Sequence, residues 1–166
     1  MSLTVIFLSI LLGCVVFALF PSSTVTLKKG DHATDFILSD ENGNEVALPK
    51  TGKVALVFFP KAHPMSFGCK KEVCSIRDGF SDLKVKGITV FGLTDSSQKN
   101  MKNFVIDNHL PFPLLHVTPD IMKAYGVSGS LLGAKRHTVL IDNGIIVGVI
   151  THVDLGNHPQ QILAGF

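Results

Sequence analysis

Two cysteines, Cys69 and Cys74, stand five positions apart in the stretch SFGCKKEVC of this 166-residue chain. Cys69 follows Gly68 at the point where a proline-rich loop gives way to a helical pattern, so it is predicted at a helix N-terminus. Unpaired N–H groups and a partial positive charge at that end favour a thiolate and lower the pKa of a cysteine. Lys70 and Lys71 add positive charge nearby. The pattern therefore predicts a reactive thiol at Cys69.

The position of Cys74 indicates how the two thiols could work together. On an intact helix, positions i and i+5 lie about 140° apart around the axis, with their Cα atoms about 8.7 Å apart. A disulfide requires a Cα separation of roughly 4.4 to 6.8 Å, so at least one turn would have to unwind. This favours a pair that meets only during a reaction. A peroxide would oxidise the first thiolate to a sulfenic acid, and the second thiol would condense with it before over-oxidation.

Three other interpretations of the same cysteines stay open at this point. Both could be small buried residues, because free cysteine is among the most buried residue types. They could bind a metal with His63, although the spacing matches no common zinc pattern and a fourth ligand is not evident. They could also belong to a thioredoxin-type disulfide reductase. That chemistry prefers two residues between the cysteines and a proline before the penultimate strand, and residues 135–138 contain none.

Alternating strands and helices are predicted around this pair. Continuous apolar runs at 54–59 and 88–93 are typical of strands buried on both faces. Apolar residues at steps of three and four predict one helix over 69–84 between them. A helix capped by Ser96 or Ser97 is expected to run to about Asn108, with further helices over 119–125 and 158–166. Short strands are expected at 35–38 and 46–48, and a hairpin of 137–142 and 145–150 around Asn143-Gly144. This order predicts an α/β fold, a three-layer sandwich with a mixed central sheet.

Composition narrows the function classes and singles out the N-terminus. The net charge is +2 and the lysines are scattered, so a nucleic-acid partner is not expected. Three cysteines are too few for a disulfide-stapled secreted scaffold. No charged side chain precedes Lys28, and residues 3–20 are long enough to span a bilayer. We therefore divide the chain into a hydrophobic segment, 1–27, and a domain, 28–166. The segment is predicted to anchor the domain at a membrane on its cytosolic side, with a cleaved signal or transit segment and a buried helix as alternatives.

Several blocks in order resemble the peroxiredoxins, specifically the bacterioferritin-comigratory-protein or Q type of the AhpC/TSA-like proteins. They are KGDHATDFIL, GKVALVFFPKA, GCKKEVCSIRDGF, ITVFGLTDSS, NHLPFPLL, AYGV and RHTVLID, and together they cover about residues 29 to 150. The resemblance implies a thioredoxin-like fold for the domain. It also implies a thiol-dependent peroxidase that reduces hydrogen peroxide and organic hydroperoxides.

The resemblance also implies a role for each site residue. Cys69 matches the peroxidatic cysteine and Cys74 the resolving cysteine, which together form an intramolecular disulfide. Ser66 matches the hydroxyl residue that helps to hold the peroxide, and Arg136 the arginine that stabilises the thiolate. A fixed guanidinium beside a helix N-terminus favours negative charge on sulfur and on the leaving oxygen. Thioredoxin or a similar dithiol is the implied reductant, no metal, haem or flavin is implied, and the protein is expected to be a monomer.

The loop before Cys69 departs from the family pattern. Ala62 occupies the position of the usual proline, and PKAHPMSFGC is two residues longer than the family loop. A misplacement of about 1 Å in a peroxide pocket can cost about a hundredfold in rate. An alternative hypothesis is therefore a redox sensor or binding module on the same fold with little turnover. A third is a thiol–disulfide oxidoreductase acting on proteins.

Overall fold

The computed structural model describes residues 26–59, 67–127, 129–130, 133–134 and 136–166. Within these ranges the chain forms nine strands and five helices. The strands are β1 (Ile37–Ser39), β2 (Glu45–Ala47), β3 (Lys53–Phe58), β4 (Ile88–Thr94), β5 (Leu114–His116), β6 (Gly129–Ser130), β7 (Gly133–Ala134), β8 (His137–Asp142) and β9 (Ile145–Ile150). The helices are α1 (Phe67–Asp78), α2 (Phe80–Val85), α3 (Gln98–Asn108), α4 (Pro119–Ala124) and α5 (His158–Ala164).

A five-stranded mixed sheet in the order β5-β4-β3-β8-β9 forms the centre of the fold. Strands β3, β4 and β5 run parallel to one another, whereas β8 runs antiparallel to β3 and β9 antiparallel to β8. The predicted mixed sheet is therefore confirmed. The central strand β3 is buried from Val54 onward, as its continuous apolar run predicted.

Alternate residues of the sheet strands face two separate hydrophobic clusters, which makes the three-layer arrangement. In β3, Ala55 and Val57 pack in a cluster with residues of α1, α2, α3 and α5. Val54, Leu56 and Phe58 pack in the other cluster, with the β1–β2 hairpin and α4. The period of two in side-chain direction along a strand produces this division.

The hairpin of β8 and β9 has the predicted bounds and turn. Asn143 has a φ of 50° and Gly144 a φ of 79°. Positive φ at both central residues is the requirement of a two-residue turn that matches the twist of the flanking strands. This hairpin fixes the start of β8, which lies directly after Arg136.

The helix predicted over 69–84 is two helices, α1 and α2, separated at Gly79. This residue has a φ of −94° and a ψ of 7°, outside helical values. A Cβ atom at Gly79 would lie 2.6 Å from Cβ of Pro159 in α5. The chain therefore bends where α5 packs against it. Gly79 and Pro159 are eighty positions apart, so the residues around Gly79 contain no signal that predicts this break.

The Gly79→Ala variant is expected to lower the free energy of unfolding by about 1 to 3 kcal/mol. The added methyl group would overlap the rigid ring of Pro159 and force α5 away. Gly156→Ala is the matched control, because its Cβ would meet nothing closer than 3.7 Å, and it should change stability by less than about 0.5 kcal/mol. Urea denaturation of both variants measures this, and equal stabilities would contradict the close contact.

The prediction of a membrane-anchored chain is wrong. Across the described ranges, no helix is both long and apolar enough to cross a bilayer. The hydrophobic segment on which the prediction rested, residues 3–20, lies outside the part of the chain that the structure describes.

Candidate active site

Cys69 lies in the first turn of α1, as the sequence predicted. The helix begins at Phe67, and its first turn carries no acidic residue that would oppose a thiolate. The side chain of Cys69 and the whole of Ser66 lie outside the described part of the chain. The structure therefore places the backbone of the predicted peroxidatic cysteine, and the role of Ser66 stays a prediction.

Cys74 lies on the same continuous helix as a free, partly buried thiol. Its Sγ atom is 3.9 Å from Oδ1 of Asn108, the last residue of α3. Because α1 is unbroken from Phe67 to Asp78, helical geometry holds the Cα atoms of Cys69 and Cys74 too far apart for a disulfide. In this structure Cys74 is therefore a free thiol on an intact helix.

Arg136 is tied to the helix that carries both cysteines. Its Nε atom donates a hydrogen bond of 2.8 Å to Oε2 of Glu72, and the two side chains form an ion pair. Glu72 is three residues after Cys69, and residues three apart on a helix are surface neighbours. Arg136 is therefore held at the turn of α1 that follows Cys69, with 29% of its side chain exposed.

The carboxylate of Glu72 is fully buried, and α5 contributes its second neighbour. Nδ1 of His158 lies 3.3 Å from Oε1 of Glu72, without the alignment of a hydrogen bond. On the other side of the ring, Nε2 of His158 lies 3.0 Å from the hydroxyl of Thr138. A buried carboxylate is costly unless it is paired, so the ion pair with Arg136 explains how α1 can bury Glu72, with His158 lying against its other oxygen.

Sequence reasoning missed Glu72, His158 and Thr138 as members of this cluster. A signal for Glu72 was present, because it stands four residues before the buried Ile76 on one stripe of the helix. A charged residue within the buried apolar stripe of a helix indicates that an ion-pair or hydrogen-bond partner is buried beside it. The identity of that partner could not be found, since His158 is 86 positions further along the chain in another element.

His137, next to Arg136, is half-buried, and burial lowers its pKa below the ordinary histidine value. Its Nε2 atom has no hydrogen-bond partner among the described residues, and its ring meets Phe58 edge-on at 6.3 Å. The unfolded chain therefore binds the proton more readily than the folded one as the pH falls below about 6.5. Stability contributed by the neutral ring is lost as the pH falls through that value toward the lower folded-state pKa.

The His137→Phe variant is expected to lose less stability than the wild type between about pH 7.5 and pH 5.5. Phenylalanine keeps the ring contact with Phe58 and carries no proton site. Denaturant unfolding at both pH values measures the change, with the exposed His32→Phe as control. If the free energy of unfolding of His137→Phe decreases between the two pH values as much as that of the wild type and the control, burial of His137 does not cause the pH dependence.

Comparison with known proteins identifies the family. The model of the AhpC/TSA family matches residues 29–149. The chain is 31% identical over 150 residues to a putative peroxiredoxin bcp of Coxiella burnetii, covering 84% of this chain and 98% of the relative. It is 35% identical over 124 residues to a chloroplastic peroxiredoxin Q of Arabidopsis thaliana, covering 72% of this chain. The match spans only 57% of that longer plant protein.

A solved structure agrees with the sequence matches. The crystal structure of peroxidoxin BcpB from Mycobacterium tuberculosis superposes with a TM-score of 0.76 and 27% identity, covering 84% of this chain and 96% of that one. The predicted thioredoxin-like fold and the predicted family are therefore confirmed. The family model covers most of the described domain and the bcp relative matches over nearly its whole length, so the chain belongs to the AhpC/TSA family as a Bcp/Q-type peroxiredoxin, a thiol-dependent peroxidase.

Proposed function

We propose that residues 28–166 form one peroxiredoxin domain that reduces hydrogen peroxide and organic hydroperoxides by a two-cysteine cycle. The Cys69 thiolate attacks one peroxide oxygen, the O–O bond breaks, and the second oxygen leaves as water or an alcohol after taking up a proton. The sulfenic acid on Cys69 then condenses with the thiol of Cys74. The S–O bond breaks, an S–S bond forms, and water leaves.

One observation supports this proposal over the other interpretations of the two cysteines. The helix that carries the predicted peroxidatic cysteine in its first turn buries Glu72 three residues later, and Nε of the Arg136 guanidinium lies 2.8 Å from Oε2 of Glu72. A guanidinium fixed beside a helix N-terminus stabilises both the attacking thiolate and the oxygen that develops charge. A buried, inert cysteine pair would not require that arrangement, because small apolar thiols have no charge to stabilise.

The remaining roles complete the proposed cycle. Ser66 is the hydroxyl that helps to hold the peroxide in front of Cys69. A dithiol protein such as thioredoxin attacks the Cys69–Cys74 disulfide and regenerates both thiols, taking the disulfide onto itself. Because the cycle uses two cysteines of one chain, a single subunit is sufficient, and we propose that the protein acts as a monomer.

Steady-state consumption of hydrogen peroxide by the full chain, coupled to thioredoxin, thioredoxin reductase and NADPH, tests this function. Repeated turnover is the expected result, and cumene hydroperoxide in place of hydrogen peroxide tests the organic substrates. A folded protein that forms a disulfide but does not turn over with several dithiols would instead favour the redox-sensor hypothesis.

A further inference from the structure

The last turn of α1 is attached to the C-terminal end of α3 through Arg77. Nη1 of Arg77 donates a hydrogen bond of 2.9 Å to the backbone oxygen of Asn108. The helix ends there, because His109 adopts the left-handed conformation with a φ of 51°. The last carbonyl groups of a helix lack intrahelical hydrogen-bond partners, and the guanidinium donates to one of them. Its positive charge also interacts favourably with the negative end of the helix dipole. Nε of Arg77 donates a hydrogen bond of 2.8 Å to Oδ1 of Asp78, which fixes the orientation of the guanidinium.

Asn108 also faces the thiol of Cys74. Asn108 is only 5% exposed, and its Nδ2 atom donates a hydrogen bond of 2.8 Å to the backbone oxygen of Phe104. This hydrogen bond fixes the orientation of the side-chain amide. The Oδ1 atom is thereby turned toward Sγ of Cys74, at 3.9 Å, where the thiol S–H is a weak donor. Two contacts to Asn108, one from Arg77 and one from Cys74, therefore hold the same turn of α1.

From these contacts we infer that Arg77 and Asn108 are positioning residues that hold Cys74 in the helix and so set the rate at which it reaches the Cys69 sulfenic acid. The inference rests on the proposed function, because it concerns the resolving step of that cycle. The Cys74 S–H contact is lost when the thiol proton leaves with the sulfenic hydroxyl as water. At least one turn of α1 must also unwind before the S–S bond can form.

A contact that exists in the helical form and is lost before the disulfide forms raises the free-energy barrier of disulfide formation. The increase equals the free energy that the contact contributes to the helical form. Hydrogen bonds to charged groups contribute enough for about a tenfold change in an equilibrium constant. The latch formed by Arg77 and Asn108 would thus prolong the life of the sulfenic acid. A longer-lived sulfenic acid meets a second peroxide more often and is oxidised to the sulfinic acid, which thiols do not reverse.

Arg77→Met is expected to form the disulfide about tenfold faster than the wild type after a pulse of one equivalent of hydrogen peroxide. Asn108→Ala, which removes the amide that faces Cys74, should change the rate in the same direction. Arg77→Lys keeps the charge and should lie between wild type and Arg77→Met. Lys84→Met, an exposed residue of α2 with the same loss of charge, is the matched control and should leave the rate unchanged.

Rapid quenching into a thiol-alkylating reagent, followed by mass spectrometry of the intact chain, gives the rate. Two further readouts separate positioning from a loss of stability. Sulfinic acid at Cys69 under excess peroxide should decrease in Arg77→Met. In the Cys74→Ser background, the Arg77→Met change should leave the rate of sulfenic acid formation unaltered. General destabilisation would not accelerate one step and leave the preceding one untouched.

The outcomes are distinguishable. A wild-type chain that forms no Cys69–Cys74 disulfide would overturn the proposed function itself. A wild type that forms it, with folded Arg77 and Asn108 variants that form it at the same rate or more slowly, would overturn only the latch. If Arg77→Met does not fold, Arg77→Lys and Asn108→Ala decide the question by the same measurement.

Discussion

Replacement of Cys69 by serine should reduce peroxide consumption to the level without enzyme, a loss of at least about a thousandfold. A serine hydroxyl at the first turn of α1 has the same shape but no accessible anion at neutral pH. It therefore cannot attack the O–O bond. The expected loss affects the first turnover as well as the steady state, because no sulfenic acid forms.

The Cys74→Ser variant is the matched control for this prediction. It should react with the first equivalent of peroxide at the wild-type rate and then fail to turn over with thioredoxin as the reductant, since no intramolecular disulfide forms. A pre-steady-state measurement with limiting peroxide distinguishes the two variants. A Cys69→Ser variant that still consumes one equivalent, with Cys74→Ser inactive, would contradict the assignment and exchange the two roles.

Replacement of Arg136 by glutamine should lower the rate constant for Cys69 oxidation by about a hundredfold. Loss of one fixed donor for a developing oxyanion typically has that effect. The guanidinium also neutralises the buried carboxylate of Glu72, so this variant should be less stable by about 3 kcal/mol. That is the lower end of the range for buried pairs, because Arg136 retains contact with water.

Arg136→Lys separates the two effects of this change. Lysine keeps the charge beside Glu72 but lacks the planar fork that binds two groups at once. It should recover most of the stability and remain about tenfold slower than the wild type. Stopped-flow peroxide consumption at a temperature where all three proteins are folded measures the rates. Equal rates in wild type and Arg136→Gln would show that the Glu72 pair is purely structural.

The central elements of the fold were predictable because their signals are local. The run around Val54 to Phe58 is apolar on both faces, and Asn143-Gly144 supplies the two residues with positive φ that the hairpin requires. The position of Cys69 was equally predictable, since a proline-rich loop directly precedes a helical pattern. In each case, neighbouring residues determine the structure.

The missed features all depend on contacts between distant parts of the chain. The break of the first helix at Gly79 follows from the ring of Pro159 in α5, and the buried Glu72 depends on its ion pair with Arg136, 64 positions further along the chain. The attachment of Cys74 and Arg77 to Asn108 joins residues more than thirty positions apart. Periodicity gives the apolar face of a helix, but it does not show which polar group on another element will meet it.

Peptide mapping of the full chain after one equivalent of hydrogen peroxide tests the central claim most directly. Trypsin cuts at Lys70 and Lys71, between the two cysteines, so a Cys69–Cys74 disulfide joins the peptide of residues 62–70 to that of residues 72–77. We expect this linked pair to appear in stoichiometric yield and to disappear after incubation with reduced thioredoxin. Sulfinic acid on Cys69 with Cys74 still a free thiol, or a disulfide that involves Cys14, the third cysteine of the chain, would contradict the proposed cycle.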